Sequence, residues 1–354
     1  MLAALDHMRR VALAAFSAFA LMGAAAAQSP PQSPPPATPP SWAEPALLKA
    51  AQAEGSVTVY SSVNEQEGLP LWQLFEKATG IKVNYVRSSD NGLLSRILLE
   101  GRAGQKSWDV VMTTAVSKLP DALLQPFDLK EAAGLRPEAI SKTKRWYAVY
   151  SNYNSPAINT RSLKIADMPA TYEAMAKRTD LAGKVAFEPT DSQWVYAMFQ
   201  LYGEARARTI IGNLMTNLKP VPVDGHLALA RAVGLGEYQM AINNFTNLTI
   251  NVGMSGNPTD YWVMDPVALF YGQLGISSGA PHPKAAQLAA DFVISKEGQT
   301  QIASQGRIPV RRDVPTNPPG VIDRLEKSKV IPVVFSPEDE RKWQQITKQL
   351  FNVR

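Results

Sequence analysis

Between residues 56 and 112 the chain alternates short β-branched runs with helical spacing, and this rhythm restricts the fold more than any other feature. Val57-Thr58-Val59-Tyr60 follows Gly55-Ser56 and reads as a buried strand. Leu71, Leu74, Phe75 and Ala78 recur at helical spacing, with Pro70 expected near the helix start and Gly80 closing it. Ile81 to Val86 is a second strand, Leu93, Leu94, Ile97 and Leu98 mark a second helix, and Asp109-Val110-Val111-Met112 is a third strand. Strands alternating with helices imply a parallel sheet covered on both faces. Such sheets meet ligands at the loops after the strands. Here those loops are Ser61-Ser62-Val63-Asn64, Arg87 to Asn91, and Thr113-Thr114, all small and polar, none with a base suited to catalysis.

A second series follows. Lys184 to Glu188 reads as a strand and leads into Pro189-Thr190-Asp191-Ser192-Gln193. Trp194 to Tyr202 and Ala205 to Asn217 read as helices, Pro220 to Val223 as a short strand. Asp224-Gly225-His226 opens a helix through Val233, and Tyr238 to Ile242 is a strand that ends in the polar run Asn243-Asn244-Phe245-Thr246. A strand end so rich in donors and acceptors needs partners for them. The expected fold is α/β, with two lobes whose polar edges could face each other as a clamshell for a small solute. Pro283 should start a later helix with Ala286, Leu288, Ala289, Phe292 and Val293 on its apolar face, broken by Lys296-Glu297-Gly298-Gln299. Ile308 to Arg311 reads as extended, and Pro337 to Phe351 as a closing amphipathic helix.

Ahead of the first strand, Arg9 and Arg10 precede the uncharged run Val11 to Ala27, which ends in four alanines. That order is expected of a secretory signal cleaved near Ala27–Gln28; the run is short for a span, which needs about 20 apolar residues. Gln28 to Ser41 holds seven prolines in fourteen residues and suits an extended spacer. Cysteine is absent, so an exported chain of this kind relies on its core and offers neither thiol chemistry nor sulfur-ligated metal. The net charge of +5 is spread without a basic block, which argues against nucleic acid.

At this point the chain resembles the family 1 extracellular solute-binding proteins of ABC importers, and within them the ferric-iron-binding branch of the type 2 periplasmic binding fold. The resemblance is carried by VTVYSS at Val57–Ser62, FEKATGIKV at Phe75–Val83, WDVV at Trp108–Val111, NTRSL at Asn159–Leu163, PTDS at Pro189–Ser192, AINN at Ala241–Asn244 and KEGQ at Lys296–Gln299. It implies a signal peptide over 1–27, a linker over 28–41, one lobe from 56–150 and 266–325, a second from 151–265, and a closing segment over 326–354. By the same resemblance each lobe is a doubly wound mixed sheet flanked by helices, and two strands cross between the lobes. It further implies a periplasmic monomer that passes its solute to an ABC importer permease in the inner membrane. The chain departs from the ferric pattern. Those relatives use a histidine after the first strand, an acidic residue after the third, and a tyrosine pair; the matching positions here are Asn64, Thr114, Phe245 and Thr246. Ferric ion favours phenolate, carboxylate or imidazole ligands. The expectation is therefore an organic solute, with no metal and no cofactor. Retained metal binding through other residues, a receptor for a membrane sensor, and an enzyme on the same fold stand as alternatives.

The candidate ligand-binding residues are Ser61, Ser62, Asn64, Arg87, Thr113 and Thr114 from the first series, and Thr190, Asp191, Ser192, Gln193, Asn244, Phe245 and Thr246 from the second. Trp262 and Asp265 join them ahead of the return strand. Each has a structural reading as well. Asn243 and Asn244 suit a strand-terminating turn, and Thr190 to Ser192 suit a helix N-cap. Helix-start N–H groups can also take an anion, as the relatives do here; Asp191 would repel one and suit an amine or hydroxyl, whereas Arg87 suits carboxylate or phosphate. The sign of the ligand charge stays open. Trp262 and Tyr261 fit a cleft wall or a core equally. His226 and His282 lack metal spacing, and no G-x-S-x-G or phosphate loop supports catalysis.

Overall fold

The computed structural model describes residues 39–135 and 139–351. The signal peptide and most of the proline-rich spacer expected from the sequence lie outside the described residues. In chain order the first part holds α1 (Pro45–Glu54), β1 (Ser56–Ser61), α2 (Glu65–Thr79), β2 (Lys82–Arg87), α3 (Asp90–Arg102), β3 (Val110–Thr113) and β4 (Leu124–Gln125). The long β5 (Trp146–Asn159) leads to α4 (Tyr172–Met175), β6 (Val185–Phe187), α5 (Ser192–Tyr202), α6 (Glu204–Leu218), β7 (Val221–Pro222), α7 (His226–Leu235), β8 (Met240–Phe245), α8 (Thr246–Met254) and β9 (Thr259–Tyr261). The return strand β10 (Val267–Ser277) is followed by α9 (Pro283–Ile294), α10 (Lys296–Ser304), β11 (Ile308–Pro309), α11 (Val321–Leu325), β12 (Val330–Pro332) and α12 (Pro337–Phe351).

The main sheet runs β2-β1-β3-β10-β5-β8-β6-β7, and its two ends repeat one design. In the first, β1 pairs in parallel with β2 and β3, and β10 closes antiparallel on β3. In the second, β6 pairs in parallel with β7 and β8, and β5 closes antiparallel on β8. The antiparallel pair β5 and β10 joins them. These two strands are buried along almost their whole length, which explains their near-continuous apolar and aromatic sequences. Gly272 is required at their crossing: a Cβ there would lie 2.0 Å from Cζ of Tyr150.

Each half has its own core. The first gathers Val57, Val59, Trp72, Phe75, Leu288 and Phe292, and the second Val185, Trp194, Met198, Ile211, Leu214 and Met240. α1, which hydrophobic spacing did not reveal, joins the first core through Leu48 and Ala51. α12 docks on the second, where the Trp343 ring meets Phe199 at 5.2 Å and Tyr196 at 5.1 Å. The α/β expectation thus holds. Three local expectations are corrected. Pro70 lies inside α2, not near its start, because Asn64 caps the helix about 1.7 turns earlier. The run after Asn244 is not a strand end alone, since Thr246 begins α8. KEGQ does not merely break α9; Ser295 caps a new helix there by accepting from Gly298 N at 3.0 Å.

Candidate functional site

The carboxyl ends of β1, β3, β6 and β8 carry the polar runs picked out in the sequence. At the first set, Asn64 accepts from Glu67 N at 3.1 Å and donates to Glu67 Oε1 at 3.0 Å. Asn64 thus caps α2 through Glu67 N, and the two side chains bond each other. The buried Glu67 also accepts from Asn251 of α8 at 3.1 Å and from Arg307, whose guanidinium lies 4.2 Å from the Tyr150 ring. Ser61 is buried and accepts from Val63 N; Ser62 N donates to Met112 O. Thr113 Oγ1 donates to Asp90, and Thr114 donates to the same carboxylate through N at 3.2 Å and Oγ1 at 2.9 Å. Asp90, the first residue of α3, is thus brought to the end of β3. Arg87 is exposed at the end of β2 and takes no part in these bonds.

The second set is more deeply buried. Asp191 caps α5 by accepting from Trp194 N at 3.0 Å, so a carboxylate already occupies the helix start. Its other oxygen accepts from Asn154 Nδ2 and, at 3.0 Å, from Asn243 Nδ2. Burial pushes this carboxyl up to about 7, and the neighbouring Glu188 charge adds to the shift. Glu188 is itself raised by burial, and it accepts from Thr190 N and Oγ1. Ser192 donates to the Gln193 side chain at 3.4 Å. Asn244 has both ends of its amide engaged, with His226 Nδ1 at 3.2 Å and Thr249 Oγ1 at 3.0 Å. Thr246 Oγ1 donates to Tyr153 O at 3.0 Å. The half-buried Phe245 ring stacks on His226 at 3.5 Å and meets Phe270 edge-on at 5.0 Å. Burial lowers His226 to about 3, so the imidazole is neutral.

Two spaces lie between the sets. A cavity of about 360 Å³ is lined by Asn64 and Glu67 on one side and by Leu227, Arg231 and Asn251 on the other. A much smaller one, about 20 Å³, lies among Thr114, Ser117, Gln193, Phe270, Gln273 and Glu340. That is room for roughly one water. Lys118 Nζ and Glu340 Oε2 close its rim at 3.0 Å.

Trp262 and Asp265 are not brought to these spaces. The Trp262 indole is buried in the second core and donates to Pro169 O at 3.2 Å; Asp265 accepts from Lys329 N at 2.7 Å. Both line a separate cavity with Met168 and Lys327. His282 likewise serves structure, meeting Asp109 at 3.0 Å. Sequence reasoning placed Asp90 only within the loop Arg87 to Asn91, and it passed over Asn154, Lys118 and Glu340. Their relevance comes from partners distant in the chain, which no local pattern reveals.

Of the candidate residues, Asn64, Thr114 and Gln193 line the two spaces between the sets, and the sequence pattern described as bacterial extracellular solute-binding protein matches residues 71–325. The chain belongs to the bacterial extracellular solute-binding protein family. This solute-binding protein is of the periplasmic, ABC-transporter type. It is 26% identical over 287 residues to the major ferric iron-binding protein of Neisseria meningitidis serogroup A, covering 77% of this chain and 84% of that one. It is also 26% identical over 281 residues to a Salmonella typhi protein named for periplasmic 2-aminoethylphosphonate binding, covering 74% of this chain and 81% of that one. Its fold matches the substrate-binding protein of an ABC transporter from Agrobacterium tumefaciens with a TM-score of 0.70 at 19% identity, over 85% of this chain and 96% of that one. Among the described residues no helix is long and apolar enough to cross a membrane.

Proposed function

We propose that this protein captures a small organic solute between its two sets of strand ends and delivers it, as a periplasmic monomer, to an ABC importer permease in the inner membrane. One observation carries the reading. The four positions that the family resemblance pairs with the ferric ligands hold an amide, two hydroxyls and a benzene ring, and each is engaged within the protein. Asn64 caps α2, Thr114 binds Asp90, Phe245 stacks on His226, and Thr246 donates to Tyr153 O. Ferric ion is hard and highly charged, and these groups are poor ligands for it. The similarity to a protein named for 2-aminoethylphosphonate supports an organic solute; the similarity to a ferric iron-binding protein keeps ferric capture as the rival. The role proposed is binding without turnover.

Thermal-shift screening of the purified protein against a metabolite library tests this. A solute at about 100 times its Kd stabilises the folded state by about 2.7 kcal/mol. Organic hits competing with one another for one site support the reading; stabilisation by ferric salts alone overturns it.

A further inference from the structure

We propose that the ends of β6 and β8 form an acceptor-lined subsite for a primary ammonium group of the solute, built from Asn154 Oδ1, Asp191 Oδ2 and His226 Nε2. This rests on the reading of the protein as a binder of an organic solute, and it names the chemistry of one end of that solute.

Hydrogen-bond accounting carries the inference. The donors here are spent: Asn154 Nδ2 goes to Asp191, and Asn243 Nδ2 goes to Asp191 and to Glu188 O. The carboxylate fixes the Asn154 amide with its nitrogen inward, and the opposite oxygen has no hydrogen-bond partner although the residue is fully buried. Leaving such an oxygen unpaired is costly. His226 adds a second acceptor. Asn244 Nδ2 is committed to Thr249 Oγ1, so its oxygen faces His226 Nδ1, which must carry the proton. The neutral ring therefore turns an Nε2 lone pair toward Asp191 Oδ2, 3.9 Å away. Once Asp191 is ionised, above its raised value of about 7, two acceptors face each other with no hydrogen between them.

The charge points the same way. Glu188 and Asp191 are both 2% exposed, Asp224 adds a further negative charge beside Glu188, and no lysine or arginine pairs with any of the three among the described residues. An anion is repelled here, and a hydroxyl brings only one hydrogen. A primary ammonium brings three N–H groups and the missing positive charge. Of His226 and Asp191, it is His226 that reaches solvent, with its side chain 12% exposed and that of Asp191 fully buried.

The test uses the unliganded full-length exported protein at pH 8, with methylammonium as the minimal probe and tetramethylammonium as the control that has the same charge but no N–H. A two-atom probe binds weakly, so titration runs to roughly 0.1 M at constant ionic strength. The readouts are the His226 imidazole ¹⁵N resonances and the melting temperature. Methylammonium is expected to move Nε2 saturably and raise the melting temperature, and tetramethylammonium to do neither. His226→Phe keeps the ring stack and removes the acceptor; it should weaken methylammonium about tenfold. No saturable response, an equal response to tetramethylammonium, or undiminished binding by His226→Phe overturns the subsite. If the metabolite screen still yields organic hits without an N–H cation, the organic-solute reading stands and this inference alone fails.

Discussion

Lys118 Nζ lies 3.0 Å from Glu340 Oε2, and the two side chains are only 17% and 14% exposed. Lys118 follows the end of β3, two residues after the buried Val116; Glu340 stands in the first turn of α12, which packs on the second core. The pair therefore ties the two halves together at the rim of the smaller space. Breaking such a pair leaves one charge partly buried and uncompensated. Glu340→Gln is expected to cost about 1–2 kcal/mol, less than a fully buried pair because both groups reach water. Lys118→Met in the same chain should recover part of that loss. Urea melting of the single and double variants checks this, and additive losses would show that the pair does not interact.

Phe245→Ala should act first on His226. The ring stacked 3.5 Å away helps to bury the imidazole and hold it near 3. With the ring gone, water reaches His226 and its pKa should climb toward the ordinary value of about 6.5. Because Phe245 is only half-buried, the stability loss should fall below the ~3–5 kcal/mol of a core phenylalanine. NMR titration of the His226 imidazole and urea melting of the same variant separate these effects. An unmoved pKa with a full core-sized loss would make Phe245 purely structural.

The acid limb of stability should show two opposed slopes. Asp191 is raised from 3.8 to about 7, so between these values the folded state holds a proton that the unfolded chain releases. Its contribution is present below 3.8 and is lost as pH rises through 7. His226 is lowered from 6.5 to about 3, so over nearly the same window the unfolded chain binds the extra proton and stability rises with pH. The two should largely cancel in the native sequence between pH 4 and 6.5. His226→Phe should unmask falling stability with rising pH, at most on the order of 1 kcal/mol per unit, and Asp191→Asn the reverse. Urea unfolding at pH 4.5 and 6.5 measures both signs. Equal slopes in the two variants would contradict the assignment.

The alternation of strands and helices was readable because buried strands and amphipathic helices leave periodic apolar residues, as at Val57–Tyr60 and Leu71–Ala78. α8 was not readable. Asn247, Thr249 and Asn251 give it no apolar stripe of the usual kind, and much of its polar surface is buried against other polar groups. α10 was disguised by Gly298, which reads as a breaker; in the fold a Cβ there would lie 2.2 Å from the Phe292 carbonyl oxygen, so close packing requires glycine inside the helix. At the candidate site the residue types were legible and their commitments were not. That Asn64 would cap a helix, that Thr114 would bind Asp90, or that Asn243 would join Asp191 depends on tertiary neighbours.

Calorimetric titration of the unliganded protein with ferric citrate, beside the best organic hit from the metabolite screen, bears most directly on the central claim. The engaged amide, hydroxyls and ring at Asn64, Thr114, Phe245 and Thr246 predict one-to-one heat from the organic solute and none from ferric ion. Stoichiometric ferric binding with a visible charge-transfer band, and no competing organic solute, would contradict it.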